Sequence, residues 1–314
     1  MTRRIQINIA FGLVYVVWGS TFVAIRYAAQ LLNPALLSGF RFLLASLLLM
    51  AFLALRGQSL RIPAAEFAKV AFLGVLMFTV NTVLVNYSSR TVSAGFTALI
   101  LATIPLMVGV LESIFPGAQR MSAVGWAGTL AGFFGAALLI QSSATGKPFM
   151  GSSGLACAAL LVAAAAWAAG SVLAQRLRLS SPSLLLCAWQ MLVGGVVNLI
   201  IGAATGGLSR QHWTASLWGA ILYLAIFGSL VSYSSYLFLL RNVHVSRVST
   251  YAYVNPVVAV VLGTILQHEP LHGRQWADMS IVIVSVAMVV GSQPVRRDNS
   301  ARQLDYTSAS LTQR

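Results

Sequence analysis

Charge is scarce in this chain, and negative charge is scarcer still. Of 314 residues only 8% are charged, and six Asp and Glu face twenty Lys and Arg. A soluble globular domain carries charge on roughly a quarter of its residues, so that class is excluded. The acids are Glu66, Glu112, Glu269, Asp278, Asp298 and Asp305. None falls at the centre of an apolar stretch, where a proton-driven pathway would place a protonatable group. Glu112, near the end of one stretch, is the best candidate. Cysteine is nearly absent. Cys157 and Cys187 both lie in apolar sequence and read as small buried hydrophobes, with no disulfide expected. No Walker loop occurs, so the chain does not hydrolyse nucleotides by itself. The net charge of +14 is spread between apolar stretches rather than over one face, which excludes a nucleic-acid surface.

What the chain has in quantity is apolar sequence, at 58% hydrophobic. A bilayer-spanning helix needs about 20 such residues. Ten spans of that length are expected, at about 8–27, 35–55, 68–88, 92–114, 123–141, 154–174, 183–203, 214–238, 245–266 and 275–291. The fold class is all-α, a polytopic membrane protein, so its partners include the lipid bilayer. Arg3 and Arg4 before the first apolar run imitate a signal peptide, but the spans that follow favour a retained first helix. After Ser292 the tail, 293–314, is polar and is expected to be disordered.

Basic residues orient the spans. With the N-terminus in the cytoplasm, one side collects Arg3, Arg4, Arg56, Arg61, Lys69, Arg120, Arg176, Arg178, Arg241, Arg247 and the tail arginines. The other receives only Arg26, Arg90, Lys147, Arg210 and Arg274. The excess marks the cytoplasmic face, so both termini are expected there.

The two halves repeat each other. Pro105 and Pro256 each sit mid-span, and the offset joining them also joins Arg90 to Arg241, Leu111 to Leu262 and Ile114 to Ile265. Pro34 and Pro182 open the second and seventh spans. Two units are expected, 1–146 and 147–292, with five helices each. Five is odd, so the second unit enters the membrane inverted, which permits two mirrored gates around one site. Each mid-span proline removes an amide donor and should bend its helix.

The stretch Tyr15-Val16-Val17-Trp18-Gly19-Ser20-Thr21-Phe22 resembles the start of an EamA-type carrier of the drug/metabolite transporter superfamily. So do Pro34 followed by Arg41-Phe42, the two proline spans, and Gly263-Thr264-Ile265-Leu266-Gln267-His268-Glu269-Pro270-Leu271. The resemblance runs from about Ile9 to Gly291. It departs where such carriers often show Gly-Glu-Pro and this chain has His268-Glu269-Pro270. It implies ten helices, a central cavity lined by spans one to four and six to nine, and export of small metabolites or drugs across the bacterial inner membrane, without a cofactor.

Arg41 is the one cation well inside a span, roughly 9 Å deep at about 1.5 Å per residue past Ala35. It either holds a cargo carboxylate or a gating carbonyl, or snorkels to the headgroups. Polar stripes at helical spacing run along Thr79, Thr82, Asn86 and Ser89, along Ser229, Ser232, Tyr233 and Tyr236, and along Ser246, Ser249, Thr250 and Tyr253. Three aligned stripes point to a wet cavity, whereas any one hydroxyl more often makes an interhelical bond. Trp18, Trp167, Tyr233, Tyr251 and Tyr253 lie near span centres, away from the interfaces such residues prefer, with Trp189 and Gln190 about a third of the way in. Together with Asn81 and Asn255 they are candidate cargo contacts. The glycine stripe Gly125, Gly128, Gly132 and Gly135 permits close helix approach, inside the chain or at a dimer contact. The protein is expected as a monomer or homodimer.

One rival stands apart. His268-Glu269-Pro270-Leu271-His272 matches the zinc-peptidase pattern His-Glu-x-x-His, which needs both histidines on one helical face. Pro270 belongs in a first helical turn, which would leave His268 outside the helix. A non-transporting membrane scaffold is the third reading. The function expected is secondary transport by alternating access of small neutral, zwitterionic or amphipathic molecules. A polyphosphate would call for several cations in the pore.

Overall fold

The computed structural model describes residues 2–92, 94–115, 121–143, 154–177, 179–205, 213–267 and 273–292. The proposed unit boundary at 146/147, the His268–His272 motif and the tail lie outside them. Among the described residues every regular element is helical.

The elements are α1 (Arg3–Leu31), α2 (Pro34–Leu55), α3 (Ala64–Gly74), a π-helical stretch (Val75–Asn81), α4 (Thr82–Ser88), α5 (Ala94–Leu101), α6 (Ile104–Ile114) and α7 (Ala123–Ser143). There follow α8 (Gly154–Arg176), α9 (Ser183–Ala204), α10 (Ala215–Tyr223), a second π stretch (Leu224–Val231), α11 (Ser232–Asn242), α12 (Val245–Val248), α13 (Tyr251–Gln267) and α14 (Gly273–Ser292). Among the described residues seven helical segments are long and apolar enough to cross a membrane, and α7 and α14 carry shorter apolar runs. Large apolar side chains such as Phe72, Phe134, Ile200 and Ile283 stay more than half exposed, as a lipid-facing surface requires.

Local chemistry sets the ends. Asn33 caps α2 through Oδ1, which accepts from the amides of Ala35 and Leu36, while Pro34 starts the helix where its missing donor costs nothing. Gly57 ends it at φ 67°, and Gln58 N–H bonds the Leu53 carbonyl.

The packing pairs helices far apart in the chain. α2 lies on α9 and α7 on α14, while α1 packs against α11 and α13, and α8 against α6 and α4. Glycines let these backbones meet: a Cβ on Gly195 would stand 2.7 Å from the Leu43 amide nitrogen. The stripe on α7 is used inside the chain. Gly128 and Gly135 face α14, and a Cβ on Gly132 would fall 2.7 Å from the Tyr253 ring. That face is therefore not free for a dimer contact. Cys157 and Cys187 are both free thiols.

The two proline spans break differently. The first stops at Ala102–Thr103 and restarts at Ile104, with Pro105 in the first turn of α6. In the second the break comes earlier, at Ser249–Thr250, and Pro256 lies inside α13. Ser249 Oγ and Thr250 Oγ1 donate to the carbonyls of Ser246 and Arg247, a local competition that ends α12.

Candidate functional site: a central cavity

One π stretch joins α3 to α4 and the other joins α10 to α11. A π turn leaves carbonyls that need other donors. Asn198 Nδ2 and Thr82 Oγ1 take the Phe78 carbonyl, while Ser229 and Ser232 hydroxyls take those of Leu224 and Phe227. These irregular turns carry Phe78, Asn81, Gly228 and Ser229 toward the middle of the bundle.

There a cavity of about 790 Å³ opens, walled by α1, α2, the first π stretch, α4, α5, α6, α8, the second π stretch, α11 and α13. Its lining residues on α1 run from Trp18 to Ile25, and those on α2 centre on Arg41. The cavity thus lies toward the α1–α2 turn. Seven of the sequence-predicted residues line it: Trp18, Arg41, Asn81, Trp167, Tyr233, Tyr251 and Asn255.

Arg41 is buried at 8% exposure and does not snorkel. Its Nε donates to Ser229 Oγ at 2.7 Å, and its guanidinium lies 4.9 Å from the Phe42 ring. Among the described residues no acid pairs with it. An unpaired buried cation is costly, so the site favours an anionic group brought in from outside.

The aromatics form the floor. Trp18 meets Trp167 at 5.4 Å and Tyr251 at 4.8 Å between ring centroids, and Tyr236 joins both. The Trp18 indole donates to the Gly228 carbonyl at 2.8 Å, and Asn81 Nδ2 to the Ala163 carbonyl at 2.8 Å. Two buried polar atoms on the wall have no hydrogen-bond partner of good geometry: Asn255 Oδ1 and Trp167 Nε1. The hydroxyls of Tyr236 and Tyr251 lie near that indole. Pro256 and Pro105 act on the same wall through the backbone. Each lacks the amide that would bond the carbonyl four residues earlier, at Ala252 and Leu101, and both of those residues line the cavity.

Three predicted contacts lie elsewhere. The Tyr253 hydroxyl donates to the Thr129 carbonyl at 2.8 Å and ties α13 to α7. Trp189 donates to the Leu60 carbonyl and packs edge-on to Phe67, holding the loop before α3. Gln190 faces a second cavity but touches the first through Tyr233, whose hydroxyl donates to Gln190 Oε1 at 2.5 Å. Sequence reasoning missed Gly228 and Ser229 as neighbours of Arg41; only the π turn brings them there. It also missed Phe78, which packs tilted against Phe42 and edge-on to Tyr233 and carried no signal beyond being apolar.

Below the aromatic floor, toward the start of α1, the bundle is tied shut. Tyr15 hydrogen-bonds Thr250 at 2.7 Å. Glu112 from α6 pairs with Arg176 from α8 and His244 before α12, each at 3.2 Å. Gln175 Nε2 donates to the carbonyls of Leu240 and Val243.

Comparison with known proteins agrees with a transporter and leaves the zinc-peptidase reading without support. Among the described residues no cluster of three His, Cys, Asp or Glu could hold a metal. The chain is 33% identical over 277 residues to a protein described as an uncharacterized inner membrane transporter, YedA, of Escherichia coli strain K12, covering 88% of this chain and 87% of that one. It is 27% identical to the uncharacterized transporter YvbV of Bacillus subtilis, over 87% of this chain and 88% of that one. A solved crystal structure with 19% identity shares the fold at a TM-score of 0.76, over 91% of this chain and 96% of its own. The model of the EamA-like transporter family matches residues 6–141 and again 154–291, and the chain belongs to that family.

Proposed function

We propose that this protein is a secondary carrier, not an enzyme, that moves small zwitterionic, neutral or amphipathic molecules such as amino acids, related metabolites or drugs outward across a bacterial inner membrane. The observation that carries the reading is Arg41, buried in a cavity with no acid pairing it among the described residues. A carboxylate docked on the guanidinium would complete a charge-assisted pair, while the aromatic floor would take an apolar body. A scaffold without transport has no use for such a cavity.

Ten spans in two inverted five-helix units fit this role, as does the reciprocal packing of α1 and α8 on the opposite halves. With both termini cytoplasmic, the arrangement is an outward-open state. The hollow half faces the periplasm, and the Tyr15–Thr250 and Glu112–Arg176–His244 contacts seal the cytoplasmic half. Alternating access would exchange this seal for one at the other end. The test is uptake into proteoliposomes against a panel of amino acids, carboxylates, amines and drugs, with and without a pH gradient. Saturable flux of at least one compound, lost in Arg41→Ala, is expected; no flux across the panel would sink the proposal.

A further inference from the structure

A second cavity of about 730 Å³ lies between α3, α8, α9 and α11, in the half that the closing contacts occupy. Leu186, Leu237 and Leu240 supply an apolar wall, while Gln190 and Arg241 supply donors. Gln190 is 1% exposed, and its Nε2 has no hydrogen-bond partner. Its other end, Oε1, accepts from the Tyr233 hydroxyl, and Tyr233 lines the central cavity. One hydrogen-bonded pair therefore stands between the two spaces, with an unspent amide donor on the far side. Arg241 uses Nη2 on the carbonyls of Leu179 and Ser181. Glu66, whose charge acts on Arg241, spends both oxygens on the hydroxyls and amides of Ser180 and Ser181.

We infer that this second cavity is a separate holding position for the carboxylate end of an amphipathic cargo, with the Tyr233–Gln190 pair as the partition between it and the central site. A buried donor without a partner selects a ligand that brings an acceptor, and the guanidinium favours a negative one. The leucine wall suits the apolar remainder. The inference rests on the carrier reading for the word cargo. The cavity's preference for anions does not, and it can be measured without any flux.

The probe is a pair of thiol reagents, anionic 2-sulfonatoethyl and cationic 2-(trimethylammonio)ethyl methanethiosulfonate. They are applied to purified full-length protein in nanodiscs carrying Ala174→Cys, with Cys157→Ser and Cys187→Ser. Ala174 lines the second cavity and is only partly buried. Each rate is normalised to that of free cysteine. The anionic reagent is expected to react about tenfold faster than the cationic one, an electrostatic preference of ordinary size. Gln190→Met and Arg241→Gln should each reduce that ratio. A second reporter, Leu179→Cys, keeps the test valid if the first variant misfolds. Equal normalised rates at both positions would overturn the inference. So would reaction with membrane-permeant N-ethylmaleimide alone, which would make the space a lipid-facing crevice. Loss of flux with the anion preference intact would instead count against the carrier reading.

Discussion

A Cβ placed on Gly228 would stand 2.9 Å from Nη2 of Arg41 and 2.8 Å from Cγ2 of Thr21. The guanidinium reaches Ser229 only because residue 228 has no side chain. Gly228→Ala is expected to push Arg41 off Ser229 and raise KM about tenfold, while Arg41→Ala abolishes flux without loss of expression. Truncating one partner of a buried charge pair costs about 2–5 kcal/mol, or roughly 30-fold and upward in affinity. Arg41→Lys should not rescue, because an ammonium cannot make the forked contact. Concentration-dependent flux in proteoliposomes checks all three, and normal flux in Arg41→Ala would return the arginine to a structural role.

Asn255 lines the same cavity, and its side-chain oxygen is buried without a partner. Asn255→Leu keeps the volume and removes that acceptor. One hydrogen bond to cargo contributes about 0.5–1.5 kcal/mol, so KM should rise several-fold for an amine-bearing cargo. The same variant should leave an analogue lacking the amine unaffected. A matching loss for both would mean that Asn255 supports the helix rather than the cargo.

Tyr253 supplies the contrast. Its ring lies over Gly132 and its hydroxyl bonds the Thr129 carbonyl. Tyr253→Phe should lower stability by about 1 kcal/mol, the net worth of one such bond, and leave KM unchanged. Thermal unfolding and flux on the same preparation separate the two effects. A shift in KM with unchanged stability would bring Tyr253 back to the cargo.

The contrast between Tyr253 and Tyr251 marks how far the sequence could be read. Apolar run length located the helices, because lipid leaves the backbone few other choices. The buried stripes were legible too: Asn86, Ser229, Ser246 and their neighbours all turn inward. Which inward direction each residue takes was not, since a helix core and a cavity wall demand the same burial. Tyr251 and Tyr253 are two positions apart, on opposite sides of α13, and only the packing of α7 decides between them. The π stretches were invisible for another reason. Hydroxyls four or five residues on in the same span, and one amide reaching across from α9, claim their carbonyls, and hydroxyls at that spacing are too common to announce a π turn. The π stretches also shift the register, and that shift is what sets Ser229 beside Arg41.

The closed half predicts a different kind of variant. Glu112 is 4% exposed and is the acid that both Arg176 and His244 engage. Glu112→Gln would leave a buried amide facing a cation. Breaking a buried pair costs about 3–5 kcal/mol, but Arg176 is partly exposed, so about 1–3 kcal/mol is expected. The loss should fall on the closed state alone, because these contacts join α6 to α8 and α12 only while that end is shut. Hydrogen exchange at 244–250 should therefore quicken, with little change at α2 and α9.

Pro256 tests the cavity from its backbone. Within α13 it withholds the amide that would bond the Ala252 carbonyl, and Ala252 is part of the cavity wall. Pro256→Ala would supply that donor, and an interior proline costs a helix about 3 kcal/mol. The variant should thus melt at a higher temperature. It should also move cargo more slowly, because a carbonyl satisfied within the helix offers nothing to a ligand and a stiffer α13 resists rocking. Pro105→Ala should do less, because Pro105 sits in the first turn of α6, where its missing donor is nearly free. If both substitutions raised the melting temperature and left flux untouched, the two prolines would be packing residues and the shared offset between them a relic of duplication.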